Sequence, residues 1–243
     1  MEQRTALVTG ANKGIGYEIA KGLAQKGVKV WAAARSEERG MEAVERLRGE
    51  GAEADFLQLD VTDEGSIAKA VAQVQSLDIL VNNAGIALAD GGWNTSELTV
   101  ATARKVFETN VIGVIAVTNA FLPLLRESGA PRIVNVSSEV GSLTFMTGDH
   151  EFAKMQGGAY GASKSALNML TVSYAKEFKD GPVKVNAMTP GYTKTDLNHN
   201  QGWRDPALSA KVAIDLALLP EDGPNGGFFQ EGLEYHEGTT VPW

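Results

Sequence analysis

The stretch Thr9-Gly10-Ala11-Asn12-Lys13-Gly14-Ile15-Gly16 decides the fold. It is preceded by a short β-branched run, Thr5–Thr9, and followed by helical spacing that puts Ile15, Ile19, Leu23 and Ala24 on one face and Glu18, Lys21 and Gln25 on the other. A strand running through a glycine turn into a helix aims free backbone N–H groups and the positive end of the helix dipole at one point. The glycines let a pyrophosphate come close to the backbone there. The spacing is Gly-x-x-x-Gly-x-Gly, not G-x-G-x-x-G, so a turn that is glycine-rich for its geometry alone stays open at this point.

Working outward, apolar or β-branched runs recur at Thr5–Thr9, Val28–Ala33, Phe56–Leu59, Ile79–Val81, Arg132–Val136 and Val183–Ala187, with helical spacing between them. This alternation predicts an α/β fold: a doubly wound, mostly parallel sheet with helices on both faces and right-handed crossovers. No composition break or repeat divides residues 1–243, so one domain is expected. In the last quarter, Asn198–Arg204 is polar, Pro206–Leu219 reads as a helix, Gly223–Gly227 as a loop and Phe228-Phe229 as a last strand.

The 243 residues include 22 Lys+Arg and 30 Asp+Glu, a net charge of −8, with no basic cluster, which argues against a nucleic-acid partner. With no cysteine, disulfide scaffolds, zinc ribbons and thiol nucleophiles are excluded. Met1-Glu2-Gln3-Arg4 passes straight into the first apolar run. Val111–Leu125 is broken by Thr118, Asn119 and Pro123 and reads as too short to span a bilayer. A soluble cytoplasmic protein with no membrane partner is the expectation.

In nucleotide sites of this kind an acid about 20 residues beyond the glycines binds the ribose 2′-hydroxyl. Here Arg35, followed by Ser36, holds that place. A guanidinium takes a 2′-phosphate through paired, charge-assisted hydrogen bonds where a carboxylate would repel it. Lys13 is a second candidate cation, and together they favour NADP(H) over NAD(H), although each could be a solvated surface charge. Asp60-Val61 and Asn82-Asn83-Ala84-Gly85 end the third and fourth strands, at the carboxyl edge where ligands of open α/β sheets bind. Taken singly, Asp60 could be a helix cap, and the asparagine pair could tie loops together.

Tyr160 and Lys164 lie four apart and share a helix face. A phenol titrates near 10 in water; a cation about 4 Å away favours phenolate by up to about 4 kcal/mol at an effective dielectric of about 20. Such a pair can tune a proton donor for a carbonyl oxygen. Ser138, closing the fifth strand in Asn135-Val136-Ser137-Ser138-Glu139-Val140-Gly141, could donate to the developing oxyanion, or could simply form a turn.

As a set, Thr9–Gly16, Asn82–Gly85, Asn110, Ser138, Tyr160/Lys164 and Pro190-Gly191 resemble the short-chain dehydrogenase/reductase superfamily, over almost the whole chain. Gly10–Gly16, Ala34-Arg35-Ser36 and Leu216–Pro220 with Gly223-Pro224 look like its NADPH-dependent carbonyl reductases. The resemblance implies one Rossmann-type domain of about seven strands and a reductase of aldehydes or ketones. Tyr160 would be the general acid, Lys164 would lower its pKa and bind the nicotinamide ribose, and Ser138 would orient the carbonyl. Asn110 would hold a relay water. Gly10, Asn12, Lys13, Gly14, Ile15, Gly16, Arg35, Ser36, Asp60, Val61, Asn83, Ala84, Gly85, Pro190, Gly191, Thr193 and Thr195 would line the cofactor. A homodimer or homotetramer follows from the resemblance alone.

Ser138 and Tyr160 stand 22 residues apart, more than the dozen or so common in the superfamily, so Phe145–Phe152 should border the substrate pocket. His150 and Glu151 in that segment read as loop residues, not metal ligands. Substrate loops are expected at about 86–98, 139–159 and 192–212, with Trp93 and Trp203 as candidate pocket walls. Three other readings stand beside the reductase: an alcohol dehydrogenase working oxidatively, an NADP(H)-sensing module, and a sugar-nucleotide dehydratase or epimerase, for which the chain leaves little room.

Overall fold

The computed structural model describes residues 3–88, 93–149, 151–230 and 240–243, and His150 lies outside them. Seven described strands are Thr5–Thr9 (β1), Lys29–Ala34 (β2), Ala54–Gln58 (β3), Ile79–Asn82 (β4), Arg132–Val136 (β5), Lys184–Met188 (β6) and Phe228–Phe229 (β7). They pair in parallel in the order β3-β2-β1-β4-β5-β6-β7. Every run read from the sequence became a strand, shifted by at most two residues. β3 starts early because Ala54 and Asp55, neither a good strand former, sit in register with Val30 and Trp31 of β2, and pairing overrides local preference.

The helices are Gly14–Gln25 (α1), Glu37–Gly49 (α2), Glu64–Val71 (α3), Val100–Phe107 (α4), Gly113–Glu127 (α5), Leu143–Met146 (α6), Gly158–Glu177 (α7) and Pro206–Ala217 (α8). A π turn at Glu108–Ile112 joins α4 to α5, making one continuous helix of 28 residues, Val100–Glu127. This corrects the sequence reading: by length and composition that helix could span a bilayer. Its inner face, Val106, Val114, Val117, Phe121 and Leu125, is instead packed into the core.

Alternation along the strands builds two cores. Ala6 and Val8 of β1 point to the side of α1, α2 and α8, with Val30, Ile79, Val81 and Val134. Leu7 points to the side of α3, α5 and α7, with Leu57, Leu80, Ile133 and Val185. Both faces of the sheet are covered, which explains the nearly unbroken apolar strands. The strand order reverses between β1 and β4, and this leaves a crevice at their carboxyl ends.

Most helix starts are satisfied by a side chain: Ser36, Asp63, Thr99, Ser142 and Asp205 accept from backbone N–H groups of α2, α3, α4, α6 and α8. At α1 the N-cap position is Lys13, whose side chain makes no cap bond. The long segment after Ser138 folds into a turn and α6, and it meets the chain's end. Ser142 Oγ donates to Pro242 O at 2.5 Å, Thr144 Oγ1 donates to Trp243 O at 2.8 Å, and Trp243 stacks on Phe228.

Candidate active site

The glycine turn after β1 has the backbone that its residues allow. Gly10 and Gly14 take left-handed conformations at φ +64° and +57°. A Cβ at Gly16 would lie 2.4 Å from Asn83 Nδ2 and 2.4 Å from Gly10 O, so only glycine permits this closure. Asn83 ties the turn to the end of β4: its Nδ2 donates to Thr9 O (2.8 Å) and Gly10 O (3.2 Å), and its N–H donates to Thr9 Oγ1 (2.9 Å). Asn82 faces the other way and donates to Asn135 Oδ1 (2.9 Å) and Thr118 Oγ1 (3.1 Å), joining β4 to β5 and α5. The asparagine pair therefore does tie neighbouring segments together, and in doing so it holds Ala84 and Gly85 at the crevice.

Other expected cofactor residues are distributed around this edge. Asn12 and Ile15 are half-buried in the turn, and Arg35 is exposed just beyond β2. The Ser36 hydroxyl is occupied as the cap of α2. Asp60 folds into an Asx turn, accepting from Thr62 N–H (3.0 Å) and Thr62 Oγ1 (2.7 Å). Its burial opposes ionisation, but the Thr62 bonds and the Arg35 charge outweigh that and lower its pKa. Val61 packs against the start of α5, where its carbonyl lies 2.9 Å from the place of a Cβ on Gly113.

Two residues are engaged differently from the expectation. The Lys13 ammonium pairs with Asp196, since Thr195 packs beside Gly14 and brings Asp196 over the turn. The Thr193 hydroxyl is buried, bonded to Pro190 O (2.9 Å) and Ser209 Oγ (2.6 Å), which anchors the segment after β6 to α8. Thr195 caps its own turn by a reciprocal box with Asn198. Gly191, after Pro190, is left-handed at φ +67°.

Three of the candidate catalytic residues come together. Ser138 leaves β5 in an extended conformation, and its hydroxyl lies near enough to the Tyr160 phenol to favour the phenolate. Lys164, one turn further along α7, places Nζ 5.6 Å from the Tyr160 ring centre and donates to Val136 O at 2.8 Å. Lys164 is 4% exposed, and this burial pulls its ammonium pKa down to about 8. The phenol moves opposite to the sequence expectation. Burial, then the Glu139 charge, push its pKa up, and the Ser138 hydrogen bond counters only part of this. The Lys164 ammonium is held by a backbone carbonyl and stays near the phenol, where a positive charge favours the phenolate.

Asn110 lies in the π turn, fully buried. Its Nδ2 donates to Ile86 O (2.9 Å) and Ser163 Oγ (3.0 Å), and its Oδ1 accepts from Ile86 N–H (2.9 Å). The five-residue turn widens the helix and lets this side chain reach across, a use of π turns that recurs at functional sites. A Cβ on Gly85 would lie 3.4 Å from Asn110 Oδ1 and 3.6 Å from Lys164 Nζ, so glycine leaves the space between those two groups open.

Sequence reasoning missed Glu139, Thr189 and Gly141. Glu139 directly follows Ser138 and bonds to Thr189. A Cβ on Gly141 would lie 2.6 Å from the carbonyl carbon of Lys164 and 2.7 Å from its Cβ, so this glycine allows α7 to approach Ser138. Its only signal was its place three residues after that serine. Of the candidate pocket walls, Trp203 is 69% exposed and edge-on to Tyr192, and Trp93 is 46% exposed, with its carbonyl beside Gly158 at the start of α7. The side chain of Glu151 lies outside the described part, as do residues 89–92 of the first substrate loop.

Residues 4–205 match the family profile described as short chain dehydrogenase. The chain is 34% identical to (+)-neomenthol dehydrogenase from Capsicum annuum, with 93% of this chain and 95% of that protein covered. It is similar in structure to salutaridine reductase from Papaver somniferum, at TM-score 0.80 and 32% identity over 94% of this chain and 100% of that one. It is also similar to an NADPH-bound carbonyl reductase from chicken fatty liver, at TM-score 0.84 and 29% identity over the full length of both.

Proposed function

The chain belongs to the short-chain dehydrogenase family of oxidoreductases, and from that premise we propose that it reduces a ketone or aldehyde to an alcohol with NADPH, Tyr160 supplying the proton. The observation that carries this reading is the convergence of Ser138, Tyr160 and Lys164 at the carboxyl edge of the sheet. Relatives named as a neomenthol dehydrogenase, a salutaridine reductase and a carbonyl reductase support a carbonyl substrate.

The residues present fit a dinucleotide. The start of α1 has no side-chain cap, so its N–H groups and dipole suit a pyrophosphate. Gly10, Gly14 and Gly16 keep the approach clear of Cβ atoms, and Asn12, Ile15, Asn83, Ala84 and Gly85 form the adjoining walls. Exposed Arg35, with Ser36, offers a guanidinium to a 2′-phosphate, and Asp60-Val61 flanks the adenine side. Lys13 would join Arg35 only by leaving Asp196. Pro190, Gly191, Thr193 and Thr195 would border the nicotinamide, with Thr193 contributing backbone, since its hydroxyl is engaged.

When bound, the cofactor supplies the hydride to the carbonyl carbon. Ser138 Oγ and the Tyr160 phenol are the two hydroxyls that would donate to the carbonyl oxygen. As charge builds on that oxygen, both hydrogen bonds strengthen, and the phenol proton passes to it. The Lys164 ammonium favours the phenolate left behind, and Asn110 beside Gly85 would hold a water for reprotonation.

The test is NADPH oxidation, followed by its absorbance, with a panel of bulky and small ketones. Tyr160→Phe is expected to lower kcat by about 10²–10⁴-fold with NADPH affinity nearly unchanged. If the wild-type protein binds NADPH and turns over nothing, the reading fails and a nucleotide-sensing module gains.

A further inference from the structure

An ion pair crosses the glycine turn. The Lys13 ammonium, from the start of α1, meets the Asp196 carboxylate, from the segment after β6. Many exposed pairs contribute nothing, because two long side chains must be ordered to form them. Here one partner is ordered in advance. Thr195 and Asn198 form a reciprocal box around Asp196, Asn198 Nδ2 donates to Thr193 O (2.9 Å), and the Asn200 N–H donates to Thr195 O (2.8 Å). His199 and Asn200 close the turn at φ +53° and +60°, a left-handed conformation that is costly for residues with a Cβ and is held by those bonds. Asn200 Nδ2 also donates to Asp196 Oδ1 (3.4 Å), leaving Oδ2 for Lys13. Thr195 Cγ2 lies 3.5 Å from the place of a Cβ on Gly14, so the segment rests on the glycine turn itself. The two charged side chains are 55% and 60% exposed, so Lys13 can change partners without burying a charge.

The same turn is tied to the end of β2, where the Ala11 N–H donates to Ala33 O (2.9 Å), so Lys13 and Arg35 leave neighbouring strand ends. We propose that Asp196 is a specificity-determining residue for the cofactor: it holds Lys13 in an ion pair, leaves a 2′-phosphate to Arg35, and so narrows the preference for NADPH over NADH. This rests on the reading of the crevice as a dinucleotide site. A 2′-phosphate that recruits Lys13 must first break the pair with Asp196. NADH carries a hydroxyl in that place and gains nothing by breaking it. The free energy of the pair is therefore subtracted from the binding of one cofactor and not of the other, and specificity is that difference. Repulsion between Asp196 and the pyrophosphate is common to both cofactors and cancels in the ratio of their affinities.

The experiment reads binding, not turnover. Dissociation constants for NADPH and NADH are measured by cofactor fluorescence in wild type, Asp196→Asn, Lys13→Met and the double variant. Asparagine keeps an oxygen for Asn200 and removes only the charge. The ratio of the NADH to the NADPH dissociation constant is expected to rise about 2–5-fold in Asp196→Asn, the worth of an exposed pair. It is expected to be the same in Lys13→Met and in the double variant. An unchanged ratio in Asp196→Asn overturns the proposal. A rise that persists without Lys13 overturns it too, because the carboxylate would then act on the phosphate directly through space. If Asp196→Asn fails to fold, Asp196→Ser takes its place with the same expected ratios. A protein that binds both nucleotides and reduces no ketone sinks the reductase reading while leaving these ratios readable; one that binds neither overturns both.

Discussion

At the scale of single residues, the site combines groups whose burial works against their charged forms. Lys164 holds its proton less tightly when folded than when unfolded, at about 8 against about 10.5. Between those values the unfolded chain binds more protons, so this group makes stability rise with pH across that window. Below about pH 8 the full cost, about 3 kcal/mol, is present. In cofactor-free protein the wild-type stability minus that of Lys164→Met is therefore expected to climb by about 3 kcal/mol from pH 8 to 10.5, measured by urea unfolding. A flat difference would remove the buried ammonium from the account. Arg35 makes the second prediction. As the exposed cation beyond β2, it should hold the 2′-phosphate by charge-assisted bonds worth about 1.5–3 kcal/mol. Arg35→Asp is expected to weaken NADPH binding about 10–100-fold and NADH binding little, read from cofactor fluorescence. Arg35, Ser138, Tyr160 and Lys164 were all legible in the sequence because each has a distinctive chemistry at a fixed offset from a strand or glycine. Glu139 was not, since an acid after a serine in a turn has no signature until Thr189 is seen to hold it.

Elements set the distances between those residues. α7 carries Tyr160 and Lys164, the turn after β5 carries Ser138, and the two meet only because Gly141 lacks a side chain. Gly141→Ala would force a methyl group onto the Lys164 backbone, and overpacking of this kind costs about 1–3 kcal/mol. We expect a lower Tm and a reduced kcat, with NADPH affinity less affected, because the glycine turn after β1 lies on other elements. Unchanged kcat would show that this approach does not set the geometry. Strands and amphipathic helices were readable from periodicity. The π turn at Glu108–Ile112 was not, because one extra residue in a turn leaves the apolar spacing of α4 and α5 nearly intact. It matters because it carries Asn110 to Ile86 and Ser163.

Across the whole molecule, stability and chemistry sit at opposite ends of the sheet. The carboxyl ends of the strands carry the site. At the other end Arg132, 2% exposed, opens β5 and donates to Leu219 O (2.7 and 3.0 Å), Pro220 O (2.9 Å) and Pro131 O (2.9 Å), closing the end of α8 onto the sheet. Arg132→Met would orphan those carbonyls at a cost of about 3 kcal/mol, or about 10 °C in Tm for a domain of this size. The kcat/KM of the protein that remains folded is expected to match wild type. A fall in kcat/KM would mean that this end of the sheet also positions the site. No sequence signal set Arg132 apart from an ordinary strand-edge arginine, since Leu219 and Pro220 lie 87 and 88 residues away along the chain.

By itself the sequence determined the α/β order, the glycine turn at the start of α1 and the identities of the side chains proposed to react. These depend on spacing within a few residues, where steric preference and hydrophobic periodicity act. Only the tertiary structure decided that Lys13 pairs with Asp196, that Thr193 turns inward, and that burial raises the pKa of the phenol. Those outcomes depend on which groups from distant segments share one low-dielectric space. Charge and hydrogen bonding there are set by distance through space, and separation along the chain does not encode that distance.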